Sequence, residues 1–200
     1  MMRLVLAVAV LLGTLAGCAT RQAPLGIAGD ITVLPTNNLT GDPLLVEGRG
    51  LIDRYIRHAG MVSVGDVLQS EARFQLRERG FEVGDWLGQP AALKGQAPES
   101  ADAAIALGRQ AGLTSRLLYL EIRRWEADAP THPRYVIVAI IAALVDPTSG
   151  QEIWREHRRA GPVPTPGAIN LEAAYVVAAR KVIAEVLAPL RPTPIAQPTR

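Results

Sequence analysis

Residues 135–154, YVIVAIIAALV followed by DPTSG and QEIW, decide how the chain folds. The first eleven, Tyr135 to Val145, carry no charge and are apolar at odd and even positions alike. A helix needs roughly 20 such residues to cross a bilayer, so the run is too short to span and predicts a central strand buried on both faces. Asp146-Pro147-Thr148-Ser149-Gly150 then forms a strong turn signal, with Pro presetting φ and Gly free to take φ > 0. Ile153 and Trp154 begin the next strand. Upstream, Arg116 to Trp125 (RLLYLEIRRW) alternates, with Leu118, Leu120 and Ile122 on one side and Tyr119, Glu121 and Arg123 on the other. That period of two is the mark of a half-buried strand. A proline-bracketed turn joins it to Tyr135, so three successive strands make an antiparallel meander.

Helical signals lie to either side. Asn170 caps a predicted helix to Leu187, with Leu171, Ala174, Tyr175, Ala178, Val182, Ile183 and Val186 facing inward. Residues 161–167 (GPVPTPG) are read as a break before it. Toward the amino end, Ser63 and Asp66 form a capping-box pattern, Val64, Leu68, Ala72 and Leu76 recur every fourth position, and Gly80 closes the helix. Phe81-Glu82-Val83 alternates as a short strand, residues 84–99 are loose, and Ser100 opens a second helix that ends at Gly112. Ile31 to Pro35 is a first strand, Thr36 to Pro43 a loop rich in turn formers, and residues 44–61 fit either extended or helical structure. The expectation is an α/β (α+β) fold: one domain over residues 30–187, a mixed sheet with a carboxy-terminal antiparallel meander, and helices packed on it. Residues 188–200, with four prolines, read as a disordered tail.

The bulk numbers agree with one domain and exclude several classes. Of 200 residues, 48% are apolar, enough to offset the ordering entropy, so disorder throughout is excluded. Aromatics are only 4%, so the core must come from Val, Ile, Leu and Ala. A formal net charge of +2 is too small to imply a nucleic-acid partner. The single cysteine excludes an internal disulfide. That cysteine, Cys18, ends the stretch MMRLVLAVAVLLGTLAGC, in which Arg3 precedes an uncharged apolar run from Leu4 to Gly17. The run suits an export signal. Its last four residues, Leu15-Ala16-Gly17-Cys18, resemble the lipobox of bacterial lipoproteins. The resemblance implies a signal peptide at 1–17, a diacylglycerol thioether on Cys18 and acylation of its new amine. Several acyl chains on one residue exceed the marginal anchoring given by one. Residues 18–29 then read as a lipidated tether. Ala19, where an Asp favours inner-membrane retention in enterobacterial lipoproteins, implies the periplasmic face of the outer membrane, with the inner membrane as the alternative.

No catalytic signature is present. His58, His132 and His157 lack metal-ligand spacing, and HExxH, CxxC, GxSxG and a Walker lysine are missing. Gly48-Arg49-Gly50 lacks the third glycine of a dinucleotide loop. Asp42 and Asp146 precede prolines and are explained by turns, and Ser63 and Ser100 by helix capping. No cofactor, metal site or catalytic residue is expected. A basic cluster remains: Arg123, Arg124, Arg155, Arg158 and Arg159, on strands expected to be neighbours, with Trp154 beside them. Such charges discourage sheet edges from self-pairing, and they also suit contact with anionic headgroups or an acidic partner.

Three stretches together resemble a family: Ile31–Pro35 running into Asn37–Pro43, Leu76–Gly80 before Phe81–Val83, and Asp146 to Trp154 with its Asp-x-x-x-Gly-x-x-x-Trp spacing. The chain resembles, over residues 30–187, envelope lipoproteins whose domain is similar to the amino-terminal domain of TolB. That group includes meningococcal-type surface lipoproteins, the curli-secretion lipoprotein and the penicillin-binding-protein activators. The resemblance implies a non-enzymatic accessory or assembly protein that binds itself or other envelope proteins, with the membrane reached through lipid on Cys18. Two other functions stay open at this point: an auxiliary lipoprotein of a transporter that binds a lipid, and a hydrolase of the cell envelope.

Overall fold

The computed structural model describes residues 24–47, 61–84 and 97–193. Cys18, the signal segment and residues 85–96 therefore lie outside the described residues, as does most of the ambiguous 44–61 stretch. The strands are β1 (Leu25–Ile27), β2 (Ile31–Val33), β3 (Asn37–Asn38), β4 (Leu45–Glu47), β5 (Met61–Ser63), β6 (Arg116–Ala127), β7 (Tyr135–Asp146), β8 (Gln151–Pro164) and β9 (Leu190–Pro192). The helices are α1 (Val64–Glu78), α2 (Ala101–Gln110) and α3 (Leu171–Val186).

The expected meander forms the centre. β6 and β7 pair antiparallel from Leu117 opposite Val145 to Ala127 opposite Val136, and β7 pairs antiparallel with β8. β2 and β3 add to the free side of β6 in parallel, giving a mixed five-stranded sheet in the order β2-β6-β7-β8. β4 and β5 make a separate antiparallel pair, and β1 pairs with β9 in parallel. The α+β class and mixed sheet expected from sequence are those observed.

Local chemistry explains the helix boundaries. Ser63 Oγ accepts from Asp66 N at 3.1 Å while Asp66 Oδ2 accepts from Ser63 N at 3.2 Å, closing a capping box that satisfies two otherwise orphan donors. At the other end Gly80 takes φ +88°, Gly80 N donates to Arg77 O and Phe81 N to Leu76 O, and the buried Phe81 and Leu76 share the core. This is a Schellman stop, and it needs a residue without a Cβ at Gly80. Ser100 and Asn170 cap α2 and α3 in the same manner, through Ala103 N and Ala173 N.

Several boundaries move. Leu25–Ile27, assigned to the tether, and Leu190–Pro192, assigned to the tail, are hydrogen-bonded strands; Ile27 and Leu190 are buried, so apolar side chains pull both ends onto the domain. β8 runs through the expected break to Pro164. Its prolines are tolerated because β8 is an edge strand, where a missing N–H on the solvent side breaks no ladder bond. Phe81–Val83 shrinks to a single bridge between Val83 and Ile31, and the loop at Thr36–Pro43 donates the short strand β3 to the sheet.

Candidate functional site

Successive residues of a strand point to opposite faces, and β7 divides accordingly. Val136, Val138, Ile140, Ala142 and Leu144 join the main core with α1 and α3. Ala143 and Val145 join a smaller core on the other face with Leu117 and Tyr119 of β6 and Ala101, Ala104 and Ile105 of α2. Ile137, Ala139 and Ile141 share the face of α2 but belong to neither core. Among the described residues no helix covers this second half of the face.

Strand register sets what borders that uncovered half. Ile141 sits between Glu121 of β6 and His157 of β8, Ala139 lies opposite Arg124, and Ile137 lies between Glu126 and Pro162. Ala139 and Ile141 are buried and Ile137 is half-buried. The arrangement is an apolar floor beneath charged side chains, which can lay their stems across it while their heads stay wet.

At the junction of the covered and uncovered halves sits a buried polar cluster. Tyr119 Oη donates to Glu121 Oε2 at 2.6 Å, Arg123 Nε donates to Glu121 Oε1 at 2.5 Å, and Asn37 Nδ2 donates to Tyr119 Oη at 3.3 Å. Burial, reinforced by the hydrogen bond to Glu121, pushes the Tyr119 phenol up to about 12. It therefore stays protonated at neutral pH as a donor to the carboxylate. Sequence alternation placed Tyr119 and Glu121 on one side of β6 but gave no sign that Asn37 would come across from β3.

The structure separates the basic cluster. β7 lies between β6 and β8, so Arg123 and Arg124 are not on a strand adjacent to Arg155, Arg158 and Arg159. The expectation of neighbouring strands fails because β8 returns along β7 after the tight Asp146–Gly150 turn. Four of the five cations are also neutralised locally. Arg123 pairs with Glu121, Arg124 with Glu126 at 2.7 Å, Arg155 with Glu152 at 2.8 Å, and Arg158 with Glu185 at 3.0 Å. Arg158 Nη1 further donates to Val138 O and reaches the carbonyls of Arg159 and Gly161, stitching the irregularity where β8 slips against β7. Arg159 is exposed. Trp154, expected at a contact surface, is 8% exposed and packs in the main core opposite Leu144. The pairing of these arginines with Glu121, Glu126, Glu152 and Glu185 was not read from sequence; spacing of two or three residues from an arginine within a strand was the available signal for the first three.

Comparison with known proteins bears on the fold. The chain is similar to the PelC dodecamer from Paraburkholderia phytofirmans, at 16% identity and a TM-score of 0.51, covering 85% of this chain and 93% of that one. It is similar to the hypothetical protein CT253 from Chlamydia trachomatis, at 10% identity and a TM-score of 0.53, covering 81% and 95%. It is also similar to lipoprotein GNA1162 from Neisseria meningitidis, at 17% identity and a TM-score of 0.40, covering 80% and 99%. No family model matches the chain, and no curated protein matches it. The resemblance seen over residues 30–187 holds at the level of the fold.

Proposed function

We propose that this is a non-enzymatic, lipid-anchored accessory protein of the bacterial envelope, held through Cys18 at the periplasmic face of the outer membrane and assembling with itself or with other envelope proteins. The observation that carries the assembly is the half of the sheet face that no described helix covers, where half-buried Ile137 lies beside buried Ala139 and Ile141, rimmed by charged residues from β6 and β8. A central apolar strip with a polar rim is the anatomy of a protein interface. PelC, which shares the fold, is a dodecamer, and that supports assembly. The buried Tyr119, Glu121 and Asn37 are linked through the Tyr119 hydroxyl, and the exposed Arg123 holds the second oxygen of Glu121.

No helix among the described residues is long and apolar enough to cross a membrane, so in this reading Cys18 supplies the anchor. Two measurements test it. Mass spectrometry of the mature amino terminus should find acylated Cys18, and Cys18→Ala should release the protein from purified membranes. Ile137→Lys should lower the sedimenting mass of the detergent-purified protein without changing its circular dichroism. A strictly monomeric wild-type protein that crosslinks to no envelope component sinks the assembly reading.

A further inference from the structure

The outer edge of β8 is unpaired among the described residues, and its two halves differ. The second half is guarded. Lys181 Nζ donates to Pro164 O at 2.6 Å, and Pro162 and Pro164 have no N–H to offer. The first half, from Glu152 to His157, has none of these blocks, and its register against β7 is regular from Trp154 to Arg158. Free N–H and C=O groups along such a stretch are a template for another strand.

The charges decide which strand fits. Arg155, His157 and Arg159 are exposed at alternate positions, while Trp154 is held in the core and Arg158 by Glu185. A second copy pairing antiparallel with this edge, faces aligned, meets a like-charge pair in every register centred on residues 154 to 157. Centring on residue 154 sets Glu152 against Glu156, centring on 155 sets Arg155 against itself, centring on 156 sets Glu156 against itself, and centring on 157 sets Arg155 against Arg159. Like charges directly opposite destabilise a pair.

We infer that the edge of β8 from Glu152 to His157 docks an extended acidic segment of a partner protein by strand addition, with carboxylates at alternate positions facing Arg155, His157 and Arg159. Main-chain bonds give the affinity and the alternate side chains the selectivity. An incoming carboxylate opposite Arg155 shares that guanidinium with Glu152. This inference rests on the accessory-protein reading and names the kind of partner.

The test uses the full lipidated chain in nanodiscs and a synthetic nine-residue peptide of alternating Glu and Thr, labelled for fluorescence anisotropy. The peptide should bind, and hydrogen exchange should slow in residues 152–157. The Gln-Thr peptide, and the Glu-Thr peptide N-methylated at alternate residues, should bind at least about tenfold more weakly. Arg155→Glu with Arg159→Glu should exchange the preference toward a Lys-Thr peptide. Equal binding of the N-methylated peptide, protection elsewhere than β8, or no binding overturns strand addition. Slowed exchange at 152–157 in concentrated protein without peptide overturns it in favour of a second copy. None of these outcomes alters Cys18 acylation or the sedimentation of Ile137→Lys, so the two readings fail separately.

Discussion

Two glycines in helices predict stability changes of opposite sign. Gly108 lies near the end of α2, where a Cβ would sit 2.5 Å from Leu117 Cδ1 and 2.9 Å from Pro147 Cβ. Carbon atoms in good contact are about 3.5–4.0 Å apart, so both approaches are repulsive, and the proline ring cannot rotate away. Gly65, in the first turn of α1, would place its Cβ 3.4 Å from Ser63 Oγ and from Thr36 Cβ, which is ordinary contact. Replacing glycine by alanine in a helix gains up to about 1 kcal/mol from propensity alone. Overpacking costs about 1–3 kcal/mol. Gly108→Ala should therefore destabilise by about 1–2 kcal/mol, since the clash exceeds the propensity gain. For a chain of this size that lowers Tm by about 2–8 °C. Gly65→Ala should raise Tm by about 1–4 °C, because only the favourable effect operates. Urea and thermal unfolding followed by circular dichroism at 222 nm read both variants against the parent protein. A Gly108→Ala protein as stabilised as Gly65→Ala would mean that α2 does not press against Leu117 and the Pro147 turn. The covered half of the sheet face would then be wrongly drawn.

Three further expectations follow from the same contacts. Tyr119 ionises at about 12 in the native protein and near 10 in an unfolded chain, so its contribution is complete below pH 10 and is lost as pH rises from about 10 to 12; Tyr119→Phe should show a flatter loss of stability across that window in urea titrations. Trp154→Ala should cost about 3–5 kcal/mol, as for a large core aromatic, and should act on folding rather than on partner affinity; a well-folded variant with selectively lost binding would return Trp154 to the surface. Ser63→Ala removes the capping box of α1 and should cost about 1 kcal/mol, seen as a shifted urea midpoint with an unchanged slope.

Periodicity carried most of the fold because long elements average over local ambiguity. The three strands of the meander, the three capped helices and the inward faces of α1 and α3 were legible, down to Ser63, Ser100 and Asn170 as caps. What escaped was short or depended on distant partners. Leu25–Ile27 and Leu190–Pro192 are each three residues long and become strands only by pairing with one another across the domain. Asn37–Asn38 carries turn-forming residues, yet β6 offers it a free edge, and tertiary pairing overrides propensity. The proline-rich end of β8 resembled a break because nothing local shows that the strand is an edge. The arginines were visible as a run, but whether they are free depends on Glu121, Glu126, Glu152 and Glu185. Glu185 comes from α3, and no spacing rule links it to Arg158.

In the proposed reading, the tether bears on the two roles first open to those arginines. Five residues lie between Cys18 and Pro24, so the proposed anchor at Cys18 would keep Pro24, which precedes β1, within about 20 Å of the acyl chains even when fully extended. β1 lies beside the start of β6: Arg116 donates a side-chain hydrogen bond to Ala28 O, and its amide donates to Asp30 O. In the proposed reading, that end of the sheet is the one nearest the acyl chains. Arg123 and Arg124 lie seven and eight residues further along β6, roughly 25 Å from Arg116 at about 3.3 Å per residue. Headgroup contact fits them poorly, since the Debye length at physiological salt is about 8 Å and each is already paired with a glutamate. Contact with protein fits them well. In the proposed reading, the half of the sheet face that no described helix covers and the β8 edge would both be reached from the side, by a neighbouring anchored copy or by a partner's segment. The proposed anchor would also confine copies to a surface, which raises their effective concentration and lets a modest interface suffice.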